Sequence, residues 1–274
     1  MNSNKKIISF NPAVPGDLFV WDRGCVDKAI VEIIKTAKAV IFHQTVFPEL
    51  YHLARALCPK VFPNYDCRFK WQGKIGDTML FWNFGAPHPE TCIFPRVEAF
   101  IGEHPEMGYK APSFRFPYVI KANTGGEGSS VYLIEGQGQL EKVLRILRHM
   151  EWEGRSGFVV QEYIEEIEKD LRVVVIGEHI TSYWRVGKSF HKNIAKGGEI
   201  DFHSEPELQK VGRSAVKSLC SKTGINLAGF DLVFPPGSTE PLFMEINYTF
   251  GRTGLGGSES FYEILNEQIA NFLK

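Results

Sequence analysis

Two stretches of the 274-residue chain constrain its fold more than any others. "DLRVVVIGEHITSYWRV" (170–186) reads as two strands turning at Gly-Glu-His, and "GFDLVFPPGSTEPLFMEIN" (229–247) as two more joined by the turn-rich "PPGSTE". Connections this short join antiparallel neighbours, because a parallel crossover needs a dozen or more residues. Two late hairpins with interspersed helices favour an α+β fold over a doubly wound parallel sheet.

The remaining periodicities fill in the order of elements. "KKIISF" and "KAVIFHQ" read as strands around a helix marked by Val26, Ala29, Ile30, Ile33 and Ile34, so the first seventy residues form a small α/β unit. His43 and His52 fall at a strand edge and a helix surface there. From 71 to about 112 the pattern predicts a short helix, a Gly-Ala-Pro turn and a strand, with Pro87, Pro89 and Pro95 preventing a long helix; 102–117 reads as loop. Strands at 118–121 and 131–134 flank a glycine cluster, a helix follows through Leu140, Val143, Leu144, Leu147 and Met150, and "GFVVQEYI" is a further strand. Ser204 and Glu207 predict a capping box opening a helix that Gly224 ends, and Ser260 with Glu263 caps a last amphipathic helix.

Composition excludes several classes. A hydrophobic share of 43%, a charged share of 23% and a net charge of −1 suit a core-forming globular chain without general affinity for nucleic acid or an anionic membrane. Five scattered cysteines (Cys25, Cys58, Cys67, Cys92, Cys220) form no CxxC pair, which points to a reducing cytoplasm rather than a disulfide framework or zinc ribbon. The opening "MNSNKKIISFNPAVPGDLF" lacks the apolar core of a signal peptide, and no run approaches membrane-spanning length. Self-association is left open.

The chemistry gathers in the last strands and in one loop. Alternation along "LFMEIN" turns Leu242, Met244 and Ile246 to a core and Phe243, Glu245 and Asn247 to the other face, with Asp231 across from them if the strands pair. Two carboxylates and a carboxamide are hard oxygen donors suited to Mg²⁺, although a solvated hairpin face shows the same alternation. "YVIKANTGGEGSSVYLI" (118–134) fits neither GxxxxGK[ST] nor GxGxxG. Its Gly125, Gly126, Gly128, Ser129 and Ser130 can still bring backbone N–H groups around a phosphate, with Lys121 at the strand end; a plain hairpin turn explains the glycines equally well. Gln161, Glu162, Tyr163 and Ile164 offer backbone edges and an apolar wall to a base. Asp170 can accept ribose hydroxyls, Arg172 shares its strand face, and Glu165, Glu166 and Glu168 of the acidic run 165–170 read as a solvated turn.

Taken in order, "FPYVIKANTGGEGSSV", "VVQEYI", "DLRVVVIG", "FHKNIAKGG", "AGFDLVF" and "LFMEIN" resemble the ATP-grasp superfamily, most closely the RimK-type carboxylate–amine ligases related to glutathione synthetases. The set covers residues 116–247, about half the chain; each piece is unspecific and the ordered series is distinctive. "GKIGDTMLFWNFGAPHPET" is similar to the start of the ATP-binding module, while the first seventy residues look like the family's small N-terminal domain without a distinctive motif.

The resemblance implies an ATP-grasp fold, two α+β lobes clasping ATP, behind a small α/β domain: 1–72, then a central lobe at 73–160 and a C-terminal lobe at 161–274. It implies Lys74, Lys121 and the loop at Gly126, Gly128 and Ser129 on phosphate, with Gln161, Glu162, Tyr163 and Ile164 at adenine. Asp170 would lie near the ribose, and Asp231, Glu245 and Asn247 on Mg²⁺, with Mn²⁺ as an alternative. Arg172 and Arg185 would hold the carboxylate or acylphosphate oxygens, and Asn193 would lie near the γ-phosphate. The implied activity is ATP-dependent ligation of a small-molecule or peptide carboxylate to an amine; the competing uses of such a fold are kinase-like phosphoryl transfer and nucleotide-dependent regulation. Two departures bear on specificity. The family's "RSN" is "HKN" here, putting His191 and Lys192 beside Asn193, and "NxSPG" is "NYTFG", with Phe250 in place of proline and Arg252 added as a substrate-binding candidate.

Overall fold

The computed structural model describes residues 6–21, 26–103, 114–125, 130–164, 169–187 and 199–274. They form three sheets, laid out along the chain in order. β1 (Lys6–Ser9), β2 (Leu18–Phe19), β3 (Ala37–Ile41) and β4 (Val61–Phe62) make a parallel sheet in the order β2-β1-β3-β4. Its crossovers are α1 (Lys28–Lys35) and α2 (Pro48–Leu57). Asp27 caps α1 by accepting from the Ala29 N–H at 2.9 Å, and Ile30 and Ile34 bury the stripe that the helical spacing marks out.

After the short helix α3 (Asp66–Lys70) comes α4 (Gly73–Phe84), longer than the short helix expected and ended by Gly85 in the left-handed region at φ 65°. β5 (Thr91–Phe94), β6 (Tyr118–Ala122), β7 (Val131–Ile134) and β8 (Phe158–Glu162) form the middle sheet, antiparallel in the order β5-β8-β6-β7. α5 (Val97–Glu103) and α6 (Gln137–Trp152) cover it through Phe100, Leu140, Leu144 and Leu147. α5 carries helix through Glu103, past the start of the segment expected to be loop from 102. β8 runs to Glu162, so the middle sheet extends past residue 160.

The two hairpins form as the sequence requires and merge into one sheet. β9 (Lys169–Ile176), β10 (His179–Val186), β11 (Glu199–Asp201), β12 (Leu227–Val233) and β13 (Leu242–Asn247) take the order β11-β10-β9-β12-β13, all antiparallel. One face packs on α4 and on α7 (Pro206–Thr223) through Leu171, Val173, Phe230, Leu80 and Phe81. Val174, Ile176 and Leu227 on the other face join the first sheet and α8 (Gly257–Leu273). With both faces covered, β9 is apolar from Leu171 to Ile176 apart from Arg172, which is buried among these residues.

Both expected caps are absent. α7 has Glu205, not Ser204, at its N-cap and Pro206 at N1, so Ser204 stands one residue too early for the box. Its amide instead donates to Asp201 Oδ1 at 3.0 Å and its carbonyl accepts from Trp184 Nε1 at 2.8 Å. α8 begins three residues before Ser260, after Gly256 at φ 80°. Gly224 does end α7, at φ 73°.

Candidate active site

Glu245 and Asp231 sit directly opposite each other, because the β12–β13 register pairs Gly229 with Asn247, Phe230 with Ile246 and Asp231 with Glu245. The next pair is Leu232 with Phe243, which leaves Met244 as the extra residue of a bulge. Strict alternation, which sent Met244 to the core and Phe243 to the polar face, is therefore corrected: Phe243 and Ile246 are buried in the same apolar cluster. The bulge keeps Glu245 and Asn247 on the face of Asp231.

That face is a closed electrostatic network. Arg172 lies across from Asp231 on β9, and Arg185 on β10 lies across from Asp170. Asp231 accepts from Arg172 Nε, from Arg172 Nη2 at 3.2 Å, from Arg185 Nη2 at 3.0 Å and from Asn247 Nδ2 at 3.1 Å. Arg185 Nε donates to Asp170 Oδ1 at 2.6 Å, so Asp170 is an arginine partner within this network. Burial alone would raise the Asp231 carboxyl, but the two guanidiniums outweigh it and hold it below the usual carboxylate range. Burial would lower Arg185, and Asp231 and Asp170 more than reverse this.

The lysines arrive from the other side. Lys121 stands on β6 and Lys74 on the first turn of α4, where its Nζ donates to Glu245 Oε1. Burial, then the Lys74 charge, brings Lys121 down to about 8. Two residues that the sequence reading passed over hold this arrangement. Asn123 Oδ1 accepts from the Ile75 N–H at 3.0 Å, satisfying a first-turn donor of α4 from the residue just past β6, which carries Lys121. Gly73, at φ 71°, lies so close to Asn123 that a Cβ would collide with it. Asp77 Oδ2 accepts from the Ile246 N–H at 3.3 Å, tying α4 to β13 between Glu245 and Asn247. Burial, then the nearby Glu245 charge, lifts Asp77 to about 8. A lone acid on the buried side of "GKIGDTMLFW" was the signal available for it.

Gln161 is buried at the end of β8, with Nε2 donating to Thr91 Oγ1 at 2.9 Å and Oε1 lacking a protein partner. Glu162 is exposed, and Tyr163 and Ile164 follow it, half-buried, as the chain leaves the middle sheet. Gly126, Gly128, Ser129, His191, Lys192 and Asn193 lie outside the described residues. Asp231, Glu245 and Asn247 offer two acids and an amide. Among the described residues no group of three or more His, Cys, Asp or Glu is placed to hold a metal ion. Such a donor set fits Mg²⁺ that keeps its water and phosphate ligands, and does not fit an all-protein cage.

Arg252 lies apart from this network, beside a cavity of about 850 Å³ between the first sheet and the segment from Thr249 to Leu265. Its Nη1 donates to Ser258 Oγ at 3.2 Å and its Nη2 to Tyr262 Oη at 3.1 Å, while its guanidinium stacks on the Phe261 and Tyr262 rings at 4.5 and 4.6 Å. Phe250 in the cavity wall and Arg172 of the network both lie against Gly229. Gly254 rests against the Tyr183 ring, where a Cβ would collide, and Tyr183 is the cross-strand neighbour of Arg172.

The RimK-like ATP-grasp domain model matches residues 99–269, well over half of the chain. The chain belongs to the RimK-like ATP-grasp family. A probable alpha-L-glutamate ligase of Xanthomonas campestris pv. campestris is 32% identical over 146 residues, which are 52% of this chain and 47% of the relative. The match thus spans about half the length of that relative. Among solved structures, D-cycloserine synthetase DcsG superposes with a TM-score of 0.64 at 16% identity, over 94% of this chain and 90% of its own. The ADP complex of N5-carboxyaminoimidazole ribonucleotide synthetase gives a TM-score of 0.62 at 12% identity, over 90% of this chain and 64% of its own. At these identities the likeness is one of fold. No helix of the described residues is long and apolar enough to cross a membrane.

Proposed function

We propose that the protein is an ATP- and Mg²⁺-dependent ligase that joins a carboxylate to an amine through an acylphosphate. The observation that carries this reading is the meeting of Lys74 and Lys121, from α4 and the middle sheet, with Glu245 and the Asp231–arginine network of the third sheet. A phosphate chain between the lobes would meet both lysines. The glycine loop at Gly126, Gly128 and Ser129 would close over it, with Gln161, Glu162, Tyr163 and Ile164 at the base and Asp170 near the ribose. Asp231, Glu245 and Asn247 would hold Mg²⁺, which when bound neutralises phosphate charge.

A substrate carboxylate oxygen then attacks the γ-phosphorus and ADP departs. The amine nitrogen attacks the acyl carbon, phosphate leaves and the nitrogen loses a proton. No protein nucleophile takes part; the chain contributes position and charge. Arg172 and Arg185, already fixed by Asp231 and Asp170, would hold the carboxylate and then the acylphosphate oxygens, with Asn193, His191 and Lys192 near the transferred phosphoryl group. The substrates would be small molecules or peptide termini. The scattered cysteines, without a CxxC pair, suit a reducing cytoplasm.

The test is ADP release in the presence of ATP, Mg²⁺ and paired pools of acids and amines. Ligation requires release that depends on both an acid and an amine. A phosphorylated product formed without amine would replace this reading with a kinase-like one, and nucleotide binding without turnover under any pairing would replace it with a regulatory one.

A further inference from the structure

We propose that the cavity beside Arg252 seats the amine substrate, and that this substrate is an amino acid with an aromatic or large aliphatic side chain whose α-carboxylate lies on Arg252. The assignment rests on the ligase reading for the role of the amine, and on the cavity alone for the chemistry of what binds.

The volume of about 850 Å³ is that of a small-molecule site. It opens just past the carboxyl ends of the parallel strands β1 and β3, at Phe10 and Phe42, where open parallel sheets present ligands. Trp21, 53% exposed, and the half-buried Tyr262 present open rings from the side of the first sheet and from α8, while Phe10, Phe42, Phe250 and Phe261 line the cavity as nearly buried apolar walls. Aromatic faces on both sides favour a flat or bulky apolar body.

Arg252 supplies the orientation. A guanidinium has five N–H donors, and the bonds it makes here go to two hydroxyls, Ser258 and Tyr262, at 3.2 and 3.1 Å. No carboxylate of the described residues pairs with it, unlike Arg172 and Arg185. Stacked on two rings, it is held in place before any ligand arrives, which favours bidentate capture of a carboxylate. The described residues lining the cavity include no Asp or Glu, so a cationic side chain would find no counter-charge there. Arg252 is also their one Lys or Arg, so a second carboxylate on the ligand would find no second permanent cation there.

Direction follows from the chain itself. Thr249, in the cavity wall, is two residues beyond Asn247, and Phe250 packs beside Gly229, the strand partner of Asn247. A carboxylate on Arg252 would leave the neighbouring amine on the side of the cavity that adjoins Arg172.

The experiment is calorimetric titration of the full-length chain, with ADP and Mg²⁺ present, by L-phenylalanine, L-phenylalaninol, L-glutamate and L-lysine. L-phenylalanine should bind at least tenfold more tightly than each of the other three. Arg252→Gln should remove at least tenfold of the L-phenylalanine affinity and leave L-phenylalaninol unchanged. Equal binding of L-phenylalanine and L-phenylalaninol, tighter binding of L-glutamate or L-lysine, or no binding of L-phenylalanine overturns the proposal. The comparison of ligands on the unmodified chain stands even if the variant fails to fold. Selective L-phenylalanine binding without acid- and amine-dependent ADP release would sink the ligase reading alone. ADP release with L-lysine or L-glutamate as the preferred amine would sink this proposal alone.

Discussion

Arg185 and Arg252 belong to the same part of the molecule and are kept in opposite conditions. Arg185 bridges Asp170 and Asp231, with its side chain 13% exposed, and its charge is answered within the protein. Arg252 is held by hydroxyls and aromatic rings, which fix its position without neutralising it. A cation paired by the fold is a scaffold whose geometry is settled before substrate binds. A cation placed but unpaired is a demand on the ligand. The first arrangement suits chemistry that is the same at every turnover, the second suits selection of a substrate.

The largest test of this contrast is Asp231→Asn. It leaves two guanidiniums without their shared counter-ion, and breaking a buried pair costs about 3–5 kcal/mol. Urea denaturation should show a loss of that size; an unchanged midpoint would mean that the network is not closed. Next, Glu245→Gln should lower ADP release by about 100-fold or more, the scale of one lost electrostatic contact in an active site. Full turnover in this variant would remove Glu245 from the metal set.

The pH tests follow in size. Lys121 has its folded value near 8, below its ordinary 10.5, so in the free protein it loses its charge as pH rises through about 8. ADP affinity measured by calorimetry should fall from pH 7 to pH 9, and Lys121→Ala should bind more weakly at pH 7 and lose most of that slope. Asp77 runs the other way: its folded value near 8 lies above 3.8, so the folded chain keeps a proton there that the unfolded chain releases. Its contribution to stability is whole below pH 4 and is lost as pH rises through about 8. Asp77→Asn should flatten that decline in urea midpoints between pH 5 and 8. The smallest effect belongs to Arg252→Gln, which gives up two cation–π contacts worth about 0.5–1 kcal/mol each at a partly exposed site. A loss as large as that of Asp231→Asn would erase the contrast between the two arginines.

The sequence made the hairpins legible because each strand–turn–strand signal is local. It also made Lys74, Lys121, Asp231, Glu245 and Asn247 legible, through ordered motifs. The structure brings these five together, along with Arg172 and Arg185. The roles of Asn123 and Asp77 were not legible, since they come from contacts 48 and 169 residues away in sequence. The cap positions were missed because a one-residue offset at Ser204 and a helix starting early at Gly257 leave no mark on apolar spacing. The Arg185 partner of Asp170 was not legible either, because a strand pattern does not say which cation lies across the sheet.

Met244 has a wider consequence. In a regular strand, positions 243 and 245 share one environment, so a side chain chosen for the oily interior and one chosen for phosphate chemistry would compete for the same side. The unpaired residue between them divides the labour: Phe243 answers to the packing of α4 and α7, and Glu245 to the polar face it shares with Asp231. Within six residues the strand serves two masters, and each can be revised over evolutionary time without renegotiating the other.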